Sequence, residues 1–140
     1  MTTQPTKPQD GAAGLILVVE DELVVALDLA ATLRDGGFRI LGPVTTVPAA
    51  LQLLAQQRPD AAVLDVNLRN DMVTPVAHAL RGMRVPFVVV SAYSKAALLN
   101  DEVLSDAPKL DKPVLPSELV DAINGLLGRA DQDVRQRHGL

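Results

Sequence analysis

Five short apolar, β-branched runs alternate with helical patterns along the chain, and this alternation predicts an α/β fold. The expected architecture is a doubly wound, five-stranded parallel sheet with helices on both faces. Two further observations support it. The runs LILVV, AAVLDV and PFVVVS are almost wholly apolar, as strands covered on both faces must be. Polar groups stand at or just past the C-terminal ends of four runs: Glu20-Asp21, Asp65, Ser91 and Lys112-Pro113. In an open parallel sheet those ends meet in one crevice, where ligands bind.

Each element has a local reason. Residues 15–19 read as a buried first strand. Leu23, Leu27, Ala30 and Leu33 lie near i, i+4, i+7 spacing and predict a helix over 23–35, stopped by Gly36-Gly37. Residues 38–42 form the second strand. Pro48 opens a helix in its first turn, and Pro59 ends it at Arg58. The third strand is 61–66, followed by a helix around 73–82 and a fourth strand over 86–91. Residues 95–103 suit a short helix and 107–111 a weaker fifth strand. Pro116 opens the last helix, with Leu119, Ile123, Leu126 and Leu127 on one face and Gly128 as its stop. Right-handed crossovers place helices on both faces. The (βα)5 order fits a flavodoxin-like sheet, order 2-1-3-4-5. Residues 14–128 are expected to form one domain. A polar, proline-containing, mobile extension (1–13) precedes it, and a charged tail (129–140) follows that either frays or prolongs the last helix.

Composition narrows the function classes. At 140 residues the chain fits one domain and can bury a core without staples. It has no cysteine, so disulfides and thiolate chemistry are excluded, in keeping with a reducing, cytoplasmic setting. The first fourteen residues lack the apolar stretch of a signal peptide, and no apolar run approaches the ~18 residues of a membrane span. A net charge of −4 without a basic patch argues against nucleic acid as the partner. With only Phe38, Phe87 and Tyr93 as aromatics, the core must be aliphatic.

Asp65 is the sharpest chemical signal. An ionised carboxylate inside AAVLDV is costly unless a cation or hydrogen bonds compensate. Glu20 and Asp21 add carboxylates at the end of the neighbouring run. Such crowding raises pKa values, and Mg²⁺, which takes oxygen ligands, relieves it. The other reading of Asp21 and Glu22 is as helix N-terminal acids; Glu22 reads as solvated. Lys112 can reach into the acidic crevice, pair with Asp65 and then with a phosphoryl group. The Ser91 hydroxyl can bond a phosphoryl oxygen. His78 reads as a helix-surface residue and His138 belongs to the tail, so Ser91 has no histidine base and a Ser-His-Asp hydrolase is disfavoured. No glycine-rich phosphate loop is present.

Together these segments resemble the receiver domain of two-component response regulators over residues 15–128. VVEDE resembles the family's acidic pair, VLDVNL its phosphoacceptor segment, VVVSAYS its Ser/Thr segment and LDKPV its Lys-Pro segment. The resemblance implies Asp65 as phosphoacceptor. It implies Asp21, Asp65 and the backbone carbonyl of Asn67 as Mg²⁺ ligands, with Glu20 acting largely through water. Ser91 and Lys112 would hold phosphoryl oxygens. Asn67, Ala92 and Tyr93 would gate access to the phosphate, Tyr93 shielding it from water. Where the family commonly has an aromatic switch residue, three positions before the lysine, this chain has Lys109. The implied partners are a histidine kinase or histidine phosphotransfer protein and a downstream protein target. A stand-alone receiver, monomeric or weakly dimeric, is the expectation. It signals through protein contacts or drains phosphate from a relay. The rival readings are an unphosphorylated interaction module, an FMN binder and an aspartate-nucleophile hydrolase.

Overall fold

The computed structural model describes residues 14–66, 73–91, 104 and 106–138, with side chains of the last helix through Gly128. In chain order the elements are β1 (Leu15–Val19), α1 (Leu23–Asp35), β2 (Arg39–Val44), α2 (Val47–Gln56), β3 (Ala61–Val66), α3 (Thr74–Gly82), β4 (Phe87–Ser91), β5 (Lys109–Asp111) and α4 (Pro116–His138). The five strands form one sheet, β2-β1-β3-β4-β5, with every neighbouring pair parallel. This is the doubly wound, flavodoxin-like order the sequence predicts. The short helix expected over 95–103 and the extension 1–13 lie outside the described residues.

Strand side chains alternate between faces, and here the alternation sorts the core into two layers. Leu15, Leu17 and Val19 of β1, with Ala62, Leu64 and Val66 of β3, pack against Ala50 and Leu54 of α2 and Val76, Ala77 and Leu80 of α3. Ile16 and Val18, with Ala61 and Val63, face Leu29 and Leu33 of α1 and Leu119, Ile123 and Leu126 of α4. The core is aliphatic, with Phe38 and Phe87 at its margins.

The helix ends follow local chemistry. α1 stops where Gly37 adopts φ +97°, a left-handed conformation that glycine enters at little cost. At the start of α2 the Thr46 hydroxyl accepts the Ala49 N–H at 3.2 Å. α2 ends at Gln56, two residues before Arg58.

Besides the earlier end of α2 and a β5 that begins at Lys109 instead of 107, two boundaries differ for a clear physical reason. β2 runs on through Gly42-Pro43 to Val44 instead of ending at residue 42. It is an edge strand, where proline is tolerated. Its pairing with β1 slips by one residue: Leu17 faces Leu41, but Val19 faces Val44. Gly42, at φ +96°, takes up the extra residue as a bulge. The Gly42-Pro43 and Lys112-Pro113 peptide bonds are cis. The second difference is at Gly128, which does not stop α4; the helix continues to His138. Glycine inside a helix costs only about 1 kcal/mol relative to alanine, and residues 129–138 contain neither glycine nor proline. No helix among the described residues is long and apolar enough to cross a membrane.

Candidate functional site

Strand register assembles the site. β1 and β3 pair as Ile16 with Ala61 through Val19 with Leu64, so the next step along both strands sets Glu20 beside Asp65. Both residues continue the face occupied by Ile16, Val18, Ala61 and Val63, the side covered by α1 and α4. On the far side of β4, Leu110 of β5 belongs to that same layer, and two residues later Lys112 returns to it. Three residues distant in sequence thus reach one crevice at the C-terminal edge of the sheet.

The contacts are close. The Lys112 ammonium lies 2.5 Å from Asp65 Oδ1 and 3.3 Å from Glu20 Oε1. The Glu20 contact is a hydrogen bond. The Asp65 contact is an ion pair, and beyond the ammonium no hydrogen-bond donor meets the buried Asp65 Oδ1 among the described residues. Glu20 is held at both ends. Its Oε2 accepts the Glu22 N–H at 2.8 Å, and its own N–H donates to the Val44 carbonyl at 3.1 Å. Glu20, Asp21 and Asp65 each offer an oxygen within 4.8 Å of the others. Glu20 and Asp65 are buried, whereas Asp21 is exposed at the mouth.

The electrostatics follow from burial and crowding. Burial pushes the Glu20 carboxyl up from 4.5 to about 7; the Glu22 N–H and Lys112 oppose the rise, and Asp21 and Asp65 add to it. Asp65 is also raised, again by burial first, against the pull of Lys112. Burial disfavours the charged form of Lys112, but Asp65 and Glu20 outweigh it and its pKa stands above the ordinary lysine value. The crevice therefore holds more negative charge than one lysine neutralises. A hard divalent cation suits it: carboxylate oxygens of Glu20, Asp21 and Asp65 converge on one point, two of them from buried side chains.

The other expected residues fall as follows. Ser91 is buried at the end of β4, beside Val66, and its carbonyl accepts the Lys112 N–H at 2.9 Å. That bond pins the lysine's backbone to the neighbouring strand. Glu22 occupies the N-cap position of α1 without a side-chain capping bond, and it is exposed. His78 is exposed on α3. Asn67, Ala92 and Tyr93 lie outside the described residues. Sequence reasoning did not foresee the bond from Glu20 Oε2 to the Glu22 N–H, nor the direct pairing of Glu20 with Lys112. It also missed the apolar face of α1, where Leu23, Val24 and Leu27 are exposed right after the acidic pair. Their spacing reads in sequence as a buried stripe.

A five-stranded sheet in this order, with an acidic cluster and a lysine at its C-terminal edge, is the flavodoxin-like architecture of receiver domains. The family model of the response regulator receiver domain matches residues 16–124, and the chain belongs to that family. Its members are signalling proteins rather than conventional enzymes. Among curated relatives, the transcriptional regulatory protein PdtaR of Mycobacterium tuberculosis is 32% identical over 130 residues, covering 91% of this chain and 63% of PdtaR. PrrA of the same species is 35% identical over 135 residues, covering 92% of this chain and 54% of PrrA. The chain thus spans less than two-thirds of these relatives. Among solved structures, a response regulator receiver protein from Sinorhizobium medicae WSM419 superposes with a TM-score of 0.71 at 26% identity, over 81% of this chain and 94% of that one. The receiver domain of the sensor histidine kinase PA1611 from Pseudomonas aeruginosa, solved with magnesium in its active-site cleft, shares the fold (TM-score 0.67, 23% identity, 82% of this chain and 98% of that one).

Proposed function

We propose that this protein is a phosphoacceptor of a two-component relay, with residues 14–128 as the receiver unit and Asp65 as the phosphorylated residue. The observation that carries this reading is the buried Asp65 carboxylate between a lysine and two further acids. A histidine kinase or phosphotransfer protein supplies a phosphohistidine. An Asp65 oxygen attacks phosphorus; the O–P bond forms as the P–N bond breaks, and the imidazole leaves with the electron pair and takes a proton. Little covalent assistance is needed, because position and charge neutralisation lower the barrier. In this reading Lys112 takes one phosphoryl oxygen and the Ser91 hydroxyl takes another. Asp21, Asp65 and the Asn67 carbonyl would hold Mg²⁺, which when bound supplies positive charge against the phosphoryl oxygens. Water later cleaves the acyl phosphate, and Tyr93 slows that step by shielding it.

The exposed Leu23, Val24 and Leu27 begin two residues after Asp21, so a histidine-bearing partner can cover them while its phosphate reaches the crevice. Output is a change in the surface around Ser91 and Lys112 read by another protein. In this reading the whole exchange takes place in the cytoplasm.

The test is direct. Acetyl phosphate with Mg²⁺ should add one phosphoryl group, which borohydride reduction and peptide mass spectrometry locate. Reduction at position 65 supports the assignment. A label elsewhere, or labelling that persists when EDTA replaces Mg²⁺, overturns it.

A further inference from the structure

We propose that Glu20 is a positioning residue for Lys112: it keeps the ammonium beside the crevice once a cation has claimed the oxygens of Asp65. The proposal rests on the phosphoacceptor reading of the site and adds to it a role for Glu20 other than ligation. Lys112 bridges Asp65 Oδ1 at 2.5 Å and Glu20 Oε1 at 3.3 Å. Its backbone N–H donates to the Ser91 carbonyl at 2.9 Å, which leaves the side chain as the freer part to adjust. A divalent ion shared by Asp21 and Asp65 draws charge from Asp65 and repels the ammonium. The lysine then either swings out, since its side chain is 25% exposed, or stays on its second partner.

Glu20 is built to be that partner. Its side chain is fully buried, its Oε2 is taken by the Glu22 N–H at 2.8 Å, and its own N–H is tied to the Val44 carbonyl at 3.1 Å. Its remaining oxygen faces Lys112. With both oxygens engaged, Glu20 acts on the cation through the lysine, and Asp21, exposed at the mouth, is left to take the ion.

A double-mutant cycle read by Mg²⁺ titration of amide NMR shifts tests this. In the wild-type background Glu20→Gln leaves Asp65 as the carboxylate partner of Lys112, in competition with the ion, so Mg²⁺ binding should weaken about tenfold; in Lys112→Met the same change should cost less than about threefold, since coupled residues are non-additive. Wild-type protein gives a second readout free of mutation. On Mg²⁺ addition the nuclear Overhauser contact between the Lys112 ε-protons and the Glu20 γ-protons should persist, while that to the Asp65 β-protons weakens. Equal losses in both backgrounds, or loss of the Glu20 contact while that to Asp65 persists, overturn the role of Glu20 alone. Wild-type protein without any Mg²⁺ response overturns the cation reading and this proposal with it.

Discussion

Strand β3 carries an aspartate near each end, and the two have opposite fates. Asp60, just before the strand, is a fastener. Its Oδ2 accepts the Leu15 N–H at 2.7 Å, and its own N–H donates to the Leu15 carbonyl at 2.8 Å, locking the entry of β1 to β3. Asp65, at the exit, has a lysine pressed against it. Asp60 is exposed and held by the backbone of β1; Asp65 is buried and faces a lysine side chain and two other acids. The contrast shows that residue type and strand membership do not assign function. What separates the two is what the carboxylate meets: backbone at one end, charged side chains at the other.

The comparison can be broken most sharply by mutating each end in turn. Asp65→Asn should abolish labelling by acetyl phosphate, with stability in metal-free buffer unchanged or raised, because a crowded charge is removed. Asp60→Asn should leave labelling intact. Labelled Asp65→Asn protein, or unlabelled but folded Asp60→Asn, would erase the distinction. The next effect concerns access to the exit end. Leu27→Glu places a charge on the exposed face of α1. Transfer from a phosphohistidine protein should slow by at least about tenfold, as loss of a central apolar contact does, while acetyl phosphate labels the variant at the wild-type rate. Equal slowing with both donors would mean the site itself has been disturbed.

The pH dependence sharpens the electrostatic half of the contrast. Glu20 titrates near 7 in the folded chain against an ordinary 4.5. Between those values the folded state holds a proton that the unfolded state releases, so stability falls as pH rises through the window. In Mg²⁺-free buffer the melting temperature of Glu20→Gln relative to wild type should therefore climb from pH 4.5 to 7 and level off above it. A difference that stays flat with pH would show that burial does not raise this group. The smallest effect is at the entry end: Asp60→Ala should cost about 1 kcal/mol by denaturant unfolding, the usual net worth of one hydrogen bond. No change at all would demote the fastener to a surface residue.

The sequence revealed the strands and all four polar segments because each depends on local signals: apolar β-branched runs, helical periodicity, and polar residues at strand ends; the sheet order followed from how their βα alternation fits a doubly wound sheet. What it hid depends on contacts distant in sequence. Gly42-Pro43 reads locally as a terminator, yet β2 continues because it pairs at an edge where a bulge is tolerated. Gly128 reads as a stop, yet α4 passes through it. The pairing of Glu20 with Lys112 spans 92 positions and is fixed only by the registers of β1 with β3 and β4 with β5. The exposed face of α1 misled in the other direction. Leu23 and Leu27 have the spacing of core residues, but the helix turns Ala26, Leu29, Ala30 and Leu33 inward instead.

The bulge at Gly42 widens the hereditary footprint of the site. A Cβ there would meet the Val44 nitrogen at 2.8 Å and the Val18 carbonyl at 3.4 Å, at a φ of +96° that side chains rarely adopt. The same slip in register brings the Val44 carbonyl to the Glu20 N–H. Any lineage that preserves this crevice thus inherits a constraint on a strand that contributes no side chain to it. A catalogue of the site by its acidic and basic residues alone would leave out a position where a Cβ has no room.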